Sequence, residues 1–125
     1  MISIDYQSRT PLYEQIVERF QRLILKGVLE PGSQMPSVRS LAIKLSINPN
    51  TIQKAYTILE QQGYIFPVKG RGNFIADASS LLEQQQEHYL NELEQSLLRA
   101  KDFGITADDC HTLIRKIYHE EVLHA

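Results

Sequence analysis

With 125 residues, 42% of them apolar, and a formal net charge of −2, the chain can bury one small core, and its average charge gives no reason to bind a polyanion. Its single cysteine, Cys110, excludes an internal disulfide framework and a cysteine-rich zinc site. No apolar run approaches the ~20 residues that cross a bilayer, and residues 1–15 carry no secretory leader pattern, so a cytosolic protein without membrane attachment is expected.

Residues 2–6 alternate Ile2, Ile4 and Tyr6, the pattern of a short half-buried strand. Thr10 and Pro11 read as the N-cap and first residue of a helix, where the missing proline N–H costs nothing. Leu12, Tyr13, Ile16, Val17, Phe20, Leu23 and Ile24 then recur on one helical stripe, with Glu14, Glu18, Arg19 and Arg22 off it, and Gly27 closes the helix. This stripe is core and carries no chemistry. Glu30-Pro31-Gly32 and Pro36-Ser37 bracket a short loop. Ser37 is the expected N-cap of a helix running to about Leu45, with Leu41, Ala42 and Leu45 inward. Ser46-Ile47 makes a turn, after which Asn48 caps and Pro49 opens a second short helix. That helix buries Ile52, Ala55, Tyr56 and Leu59 and ends at Gly63. Ala42 and Ala55 suit the close crossing of a helix-turn-helix. Tyr64–Val68 and Asn73–Ile75 are strand-like and flank Lys69-Gly70-Arg71-Gly72, whose glycines permit a tight hairpin with two cations at its tip.

The composition shifts at Ala76-Asp77-Ala78-Ser79, where a boundary is expected. From Ser80 to about Phe103 a long amphipathic helix carries Leu82, Tyr89, Leu90, Leu93, Leu97 and Ala100 on one side, and Gly104 ends it. Thr106 caps a second helix, with Asp108 and Asp109 in its first turn and Cys110, Leu113, Ile114, Ile117 and Val122 inward. Two facing stripes bury only part of this apolar surface. A second copy is expected to cover the rest, through Leu82, Tyr89, Leu90, Leu93, Leu97, Leu113 and Ile117; the alternative is packing back on the first domain. The expected fold class is α+β. A winged helix-turn-helix of three helices and a small β-hairpin wing occupies residues 1–76, and a two-helix antiparallel hairpin for dimerisation occupies 77–125.

The charge is unevenly placed. Residues 33–75 hold Arg39, Lys44, Lys54, Lys69 and Arg71 against Glu60, a net of +4, while residues 76–125 stand at −6. A basic centre suits contact with phosphate, and an acidic tail keeps that segment off the same polyanion. In a helix-turn-helix the start of the second helix faces base edges in the major groove of double-stranded DNA. Here it presents Asn48, Asn50, Thr51, Gln53 and Lys54. Asparagine and glutamine can pair with adenine N6 and N7, threonine can meet a thymine methyl, and the helix N-terminus offers N–H groups and dipole to a phosphate. Arg39 lies in the first turn of the preceding helix beside Ser37, and Lys69, Gly70 and Arg71 suit an adjacent minor groove.

Pro36-Ser37-Val38-Arg39-Ser40-Leu41-Ala42, Asn48-Pro49-Asn50-Thr51-Ile52 and Gly70-Arg71-Gly72-Asn73-Phe74-Ile75 together resemble the winged helix-turn-helix of the GntR family of bacterial transcription factors. Pro11-Leu12-Tyr13-Glu14-Gln15-Ile16 is similar to the same family, and Asn-Pro-Asn-Thr with a two-helix tail resembles its YtrA subfamily. The resemblance implies DNA contacts at Arg39, Asn48, Asn50, Thr51, Gln53, Lys69 and Gly70. It implies a homodimer on a palindromic operator, usually a repressor, with ABC transporter genes a frequent target. A tail of about fifty residues is too short for the effector or aminotransferase-like domains of larger relatives. A small-molecule effector would have to bind at the dimer interface or between domains.

Two other classes compete with a DNA-binding regulator. In an enzyme, Cys110-His111 would supply a nucleophile and base, but successive helix residues point apart. His88, Asp108, Asp109, His111, His119 and His124 would supply metal ligands, but His111 and His119 lie two turns apart, so neither metal nor cofactor is expected. In a protein-interaction module, the same winged fold binds another protein without specific DNA binding.

Overall fold

The computed structural model describes the backbone of residues 2–124 and the side chains of residues 2–119, so the expectations for Val122 and His124 lie outside the described side chains. The elements run α1 (Leu12–Leu25), α2 (Val38–Leu45), α3 (Pro49–Gln61), β1 (Ile65–Val68), β2 (Gly72–Ile75), α4 (Ser79–Asp102) and α5 (Ala107–His124). They fall into two compact units, Met1–Gln84 and Gln85–Ala125.

In the first unit α3 is the hub: α1 and α2 both pack on it, and β1 follows directly from its end. The stripes expected from periodicity meet there, with Ile16, Phe20, Ile52, Ala55 and Leu59 fully buried. Phe20 stands edge-on to Tyr56 with ring centroids 6.0 Å apart, a favourable aromatic geometry. Between α2 and α3 the chain turns at Ser46, whose φ of 54° places a side-chain-bearing residue in the left-handed region. β1 and β2 pair antiparallel, Ile65 opposite Ile75 and Val68 opposite Gly72, so Ile65 and Ile75 close the core while Phe66 and Phe74 stack on the other face.

Four local expectations give way to tertiary contacts. Residues 2–5 form no strand, because no neighbouring strand offers a ladder. A buried side chain holds them instead: Gln15 Oε1 accepts from the Asp5 N–H, and Gln15 Nε2 donates to the Asp5 and Thr10 carbonyls, each at 2.9 Å. The N-cap of α1 is Pro11 rather than Thr10, without a side-chain cap. A third extended segment was not anticipated. Gly32 and Met35 donate to the Ile75 and Asn73 carbonyls, and Ile75 donates to Ser33, each at 2.8 Å, which lays Gln34 beside Phe74 along β2. Finally, Ala78 is buried and Leu81 packs on the core, so the start of α4 belongs with the first unit.

Polar caps start both tail helices. Asp77 accepts from the Ser79 N–H at 3.2 Å and from its hydroxyl at 2.9 Å, which lowers the Asp77 carboxyl pKa. Thr106 and Asp109 form a reciprocal box: Asp109 Oδ2 accepts from the Thr106 N–H at 2.9 Å, and Thr106 Oγ1 accepts from the Asp109 N–H at 3.1 Å. Helix α4 buries no residue. Leu90, Leu93, Leu97 and Leu98 on α4, and Leu113, Ile114 and Ile117 on α5, all remain exposed within one chain.

Candidate nucleic-acid interface

The start of α3 is built by two residues. Asn48 Oδ1 accepts from the Asn50 N–H at 2.9 Å, and Pro49 fixes the first helical φ with no N–H of its own. The Asn48 carbonyl takes the Thr51 N–H at 2.9 Å. The first-turn donors are therefore spoken for, and the anticipated cradle of free N–H groups for a phosphate is largely consumed by the cap. The helix dipole remains.

Beyond the cap, side chains rather than backbone face outward. Asn48, Asn50, Gln53 and Lys54 are exposed and Thr51 is half-buried, while Ile52, Ala55, Tyr56 and Leu59 on the opposite face are buried. Asn50 and Gln53 lie three apart, on one face of the first turns. Gln53 Nε2 donates weakly to Thr57 Oγ1 at 3.3 Å, leaving its carbonyl outward. Lys54 is already engaged, with its ammonium 3.9 Å from the centroid of the Tyr13 ring on α1. Cation–π contact of this kind holds an exposed cation in place. The Tyr13 hydroxyl donates to Glu14 at 3.2 Å, and that hydrogen bond raises the phenol pKa. Sequence periodicity placed Tyr13 on a core stripe and did not connect it with Lys54, forty-one residues on.

Helix α2 starts on Ser37, whose Oγ accepts from the Ser40 N–H at 3.0 Å, so Ser37 serves as a cap. Arg39 in the first turn is exposed. The loop ahead of it is tied to α3 through the Tyr56 hydroxyl, which donates to the Pro36 carbonyl at 2.7 Å. Burial pushes the Tyr56 phenol pKa up, so the donor stays protonated throughout the neutral range.

The wing carries Lys69, Gly70 and Arg71 at its exposed tip. The Arg71 N–H donates to the Val68 carbonyl at 2.9 Å, and the turn needs the positive φ of Gly70, 78°. Among the described residues Arg39, Lys69 and Arg71 make no ion pair, which leaves three cations for an external anion. Among the described residues there is also no cluster of His, Cys, Asp and Glu that could hold a metal ion, and no helix long and apolar enough to cross a membrane.

Residues 12–75 match the model of the bacterial regulatory proteins of the gntR family. The chain is 40% identical over 119 residues to the HTH-type transcriptional repressor YtrA of Bacillus subtilis (strain 168), spanning 94% of this chain and 92% of that protein. A transcriptional regulator from Oenococcus oeni, known from its crystal structure, has a TM-score of 0.74 and 30% identity, with 94% of this chain and 99% of that one covered. The DNA-binding domain of AraR in complex with operator ORX1 aligns at a TM-score of 0.53 and 28% identity, with 60% of this chain and 93% of that one covered.

Proposed function

This chain belongs to the GntR family of bacterial regulatory proteins, and from that membership we propose a sequence-specific DNA-binding repressor that acts as a homodimer on a palindromic operator. The observation that carries the proposal is the two-faced α3: one side is wholly buried, and the other offers Asn50 and Gln53, with no packing task, to solvent. Such a helix start suits base edges in the major groove. Arg39 and the Lys69–Arg71 tip supply cations for the backbone and the neighbouring minor groove, while Ser37 and Asn48 contribute as caps. The operator-bound AraR domain supports the same mode of binding for this fold.

Dimerisation is supported by the tail. Its leucine and isoleucine faces are covered by nothing in one chain, and a two-fold pairing would bury them and set two first units on two half-sites. Cytoplasmic location and control of ABC transporter genes follow from the regulatory role and the YtrA-like tail, and such operons are the first places to look for the operator.

Selection of bound fragments from random and genomic duplexes tests the proposal and gives the half-site spacing in one experiment. Specific binding should weaken steeply with salt, because neutralised phosphates release counterions. Arg71→Ala should weaken binding about equally on all sequences and reduce the salt slope by about 1. A protein-interaction module would leave every duplex unbound at low salt, and that outcome would overturn the proposal.

A further inference from the structure

The wing is held by more than its own two strands. A two-stranded hairpin is marginal alone, and the tip here extends beyond the last pair, Val68 opposite Gly72. Gln34 reaches that point: its side-chain amide donates to the Arg71 backbone carbonyl at 2.6 Å. The backbone around Gln34 is itself clamped to β2 by the Met35-to-Asn73 and Ile75-to-Ser33 hydrogen bonds, both 2.8 Å. Just beyond it, Pro36 accepts from Tyr56 of α3 at 2.7 Å, and Ser37 caps α2. The stretch from Gln34 to Ser37 thus touches the wing tip, α3 and α2 in succession. The same amide lies beside Gly72, where a Cβ would stand 3.6 Å from Gln34 Nε2, an ordinary contact distance.

We propose that Gln34 is a positioning residue for the DNA contact of the wing. Its amide fixes Lys69 and Arg71 relative to α3, so that the cations and the polar helix start meet one duplex together. This rests on the wing contact put forward under Proposed function. A tip held before binding loses less freedom on binding, and that saving appears as affinity. Gln34 is exposed, so its loss leaves the core intact.

The test is a double-mutant cycle on the tightest duplex selected from a random pool, followed by fluorescence anisotropy. Gln34→Ala should weaken binding roughly three- to tenfold, the range of one hydrogen bond. Gln34→Glu lacks the donor and sets a carboxylate against a carbonyl, so it should weaken binding at least as much. Both variants should still unfold cooperatively, with a midpoint lowered by no more than the loss of one hydrogen bond, and show faster hydrogen exchange at the Arg71 amide. In a Lys69→Ala/Arg71→Ala background, Gln34→Ala should change affinity by less than about twofold, because no cation is left to position. Equal loss in both backgrounds would mean that Gln34 acts on DNA directly, and would overturn the proposal. Parent-like binding by Gln34→Ala, with binding lost in the Lys69→Ala/Arg71→Ala protein, would overturn it while leaving the wing contact standing. Undiminished binding by Lys69→Ala/Arg71→Ala would remove the wing contact itself, and the proposal with it.

Discussion

The two units solve the same problem with opposite results. In the first, three amphipathic helices and a hairpin bring their stripes together, and Ile52 and Leu59 reach 0% exposure. In the second, the weaker stripes of two longer helices stay open, with Leu93 at 57% and Ile117 at 48% exposure. Periodicity of apolar residues therefore announces that a face must be covered, but not by whom. Where short helices are joined by turns that reverse the chain, the cover is intramolecular. Where one helix runs for 24 residues and buries none of its side chains within the chain, the stripe is left for the second copy put forward under Proposed function.

That contrast can be broken most strongly in the core. Phe20→Ala should cost about 3–5 kcal/mol in denaturant unfolding of the first unit. Leu97→Ala in dilute protein should cost under ~1 kcal/mol, with a cost that grows with protein concentration. Equal, concentration-independent losses would mean that the tail packs on itself. Next in size is the assembly: Leu93→Glu with Leu97→Glu should yield monomers in sedimentation equilibrium. The double variant should keep the first unit folded and lose about 100-fold or more in affinity for a palindromic duplex, because coupled half-site binding is gone. Dimers that survive would place the interface elsewhere.

A smaller effect separates reading from holding within the first unit. Asn50→Ala or Gln53→Ala should cost on the order of 1–3 kcal/mol at a single base pair in competition against altered duplexes, with little change on random DNA. The smallest effect is in the tail. Asp109 has a lowered carboxyl pKa because the Thr106 N–H, and then its hydroxyl, favour the charged form. Its support for α5 is therefore present above the ordinary carboxylate range and is lost as pH falls through the lowered value. Circular dichroism of the chain in acid should show a loss of helicity that Asp109→Asn removes.

Much of the first unit was legible because its signals are local. Ser37, Asn48 and Pro49 declare helix starts by their own chemistry, and Lys69-Gly70-Arg71-Gly72 declares a turn. What escaped depends on distant partners. Nothing near Gln15 in sequence says that its amide replaces a ladder for residues 2–5, and a period-two pattern without a neighbouring strand makes no sheet. Gln34 finds Arg71, and Lys54 finds Tyr13, across thirty-seven and forty-one residues, beyond any pattern window. All of Arg39, Asn50, Gln53, Lys69 and Arg71 are as exposed as Ser37 and Asn48; what sets the last two apart is that their side chains are occupied as caps.

The arm ahead of α1 has a practical consequence. The match to the family model starts at residue 12, yet Ile2 and Ile4 pack on the core, Arg19 donates to the Ser3 carbonyl, and the Tyr6 hydroxyl donates to Leu45 at the end of α2. The folding unit and the recognisable family segment thus have different edges. A fragment trimmed to the residues of the family match would keep Asn50 and Gln53 and yet admit water to the Gln15 amide and loosen the foot of α2. Truncations meant to isolate the reading head should begin upstream of Ile2.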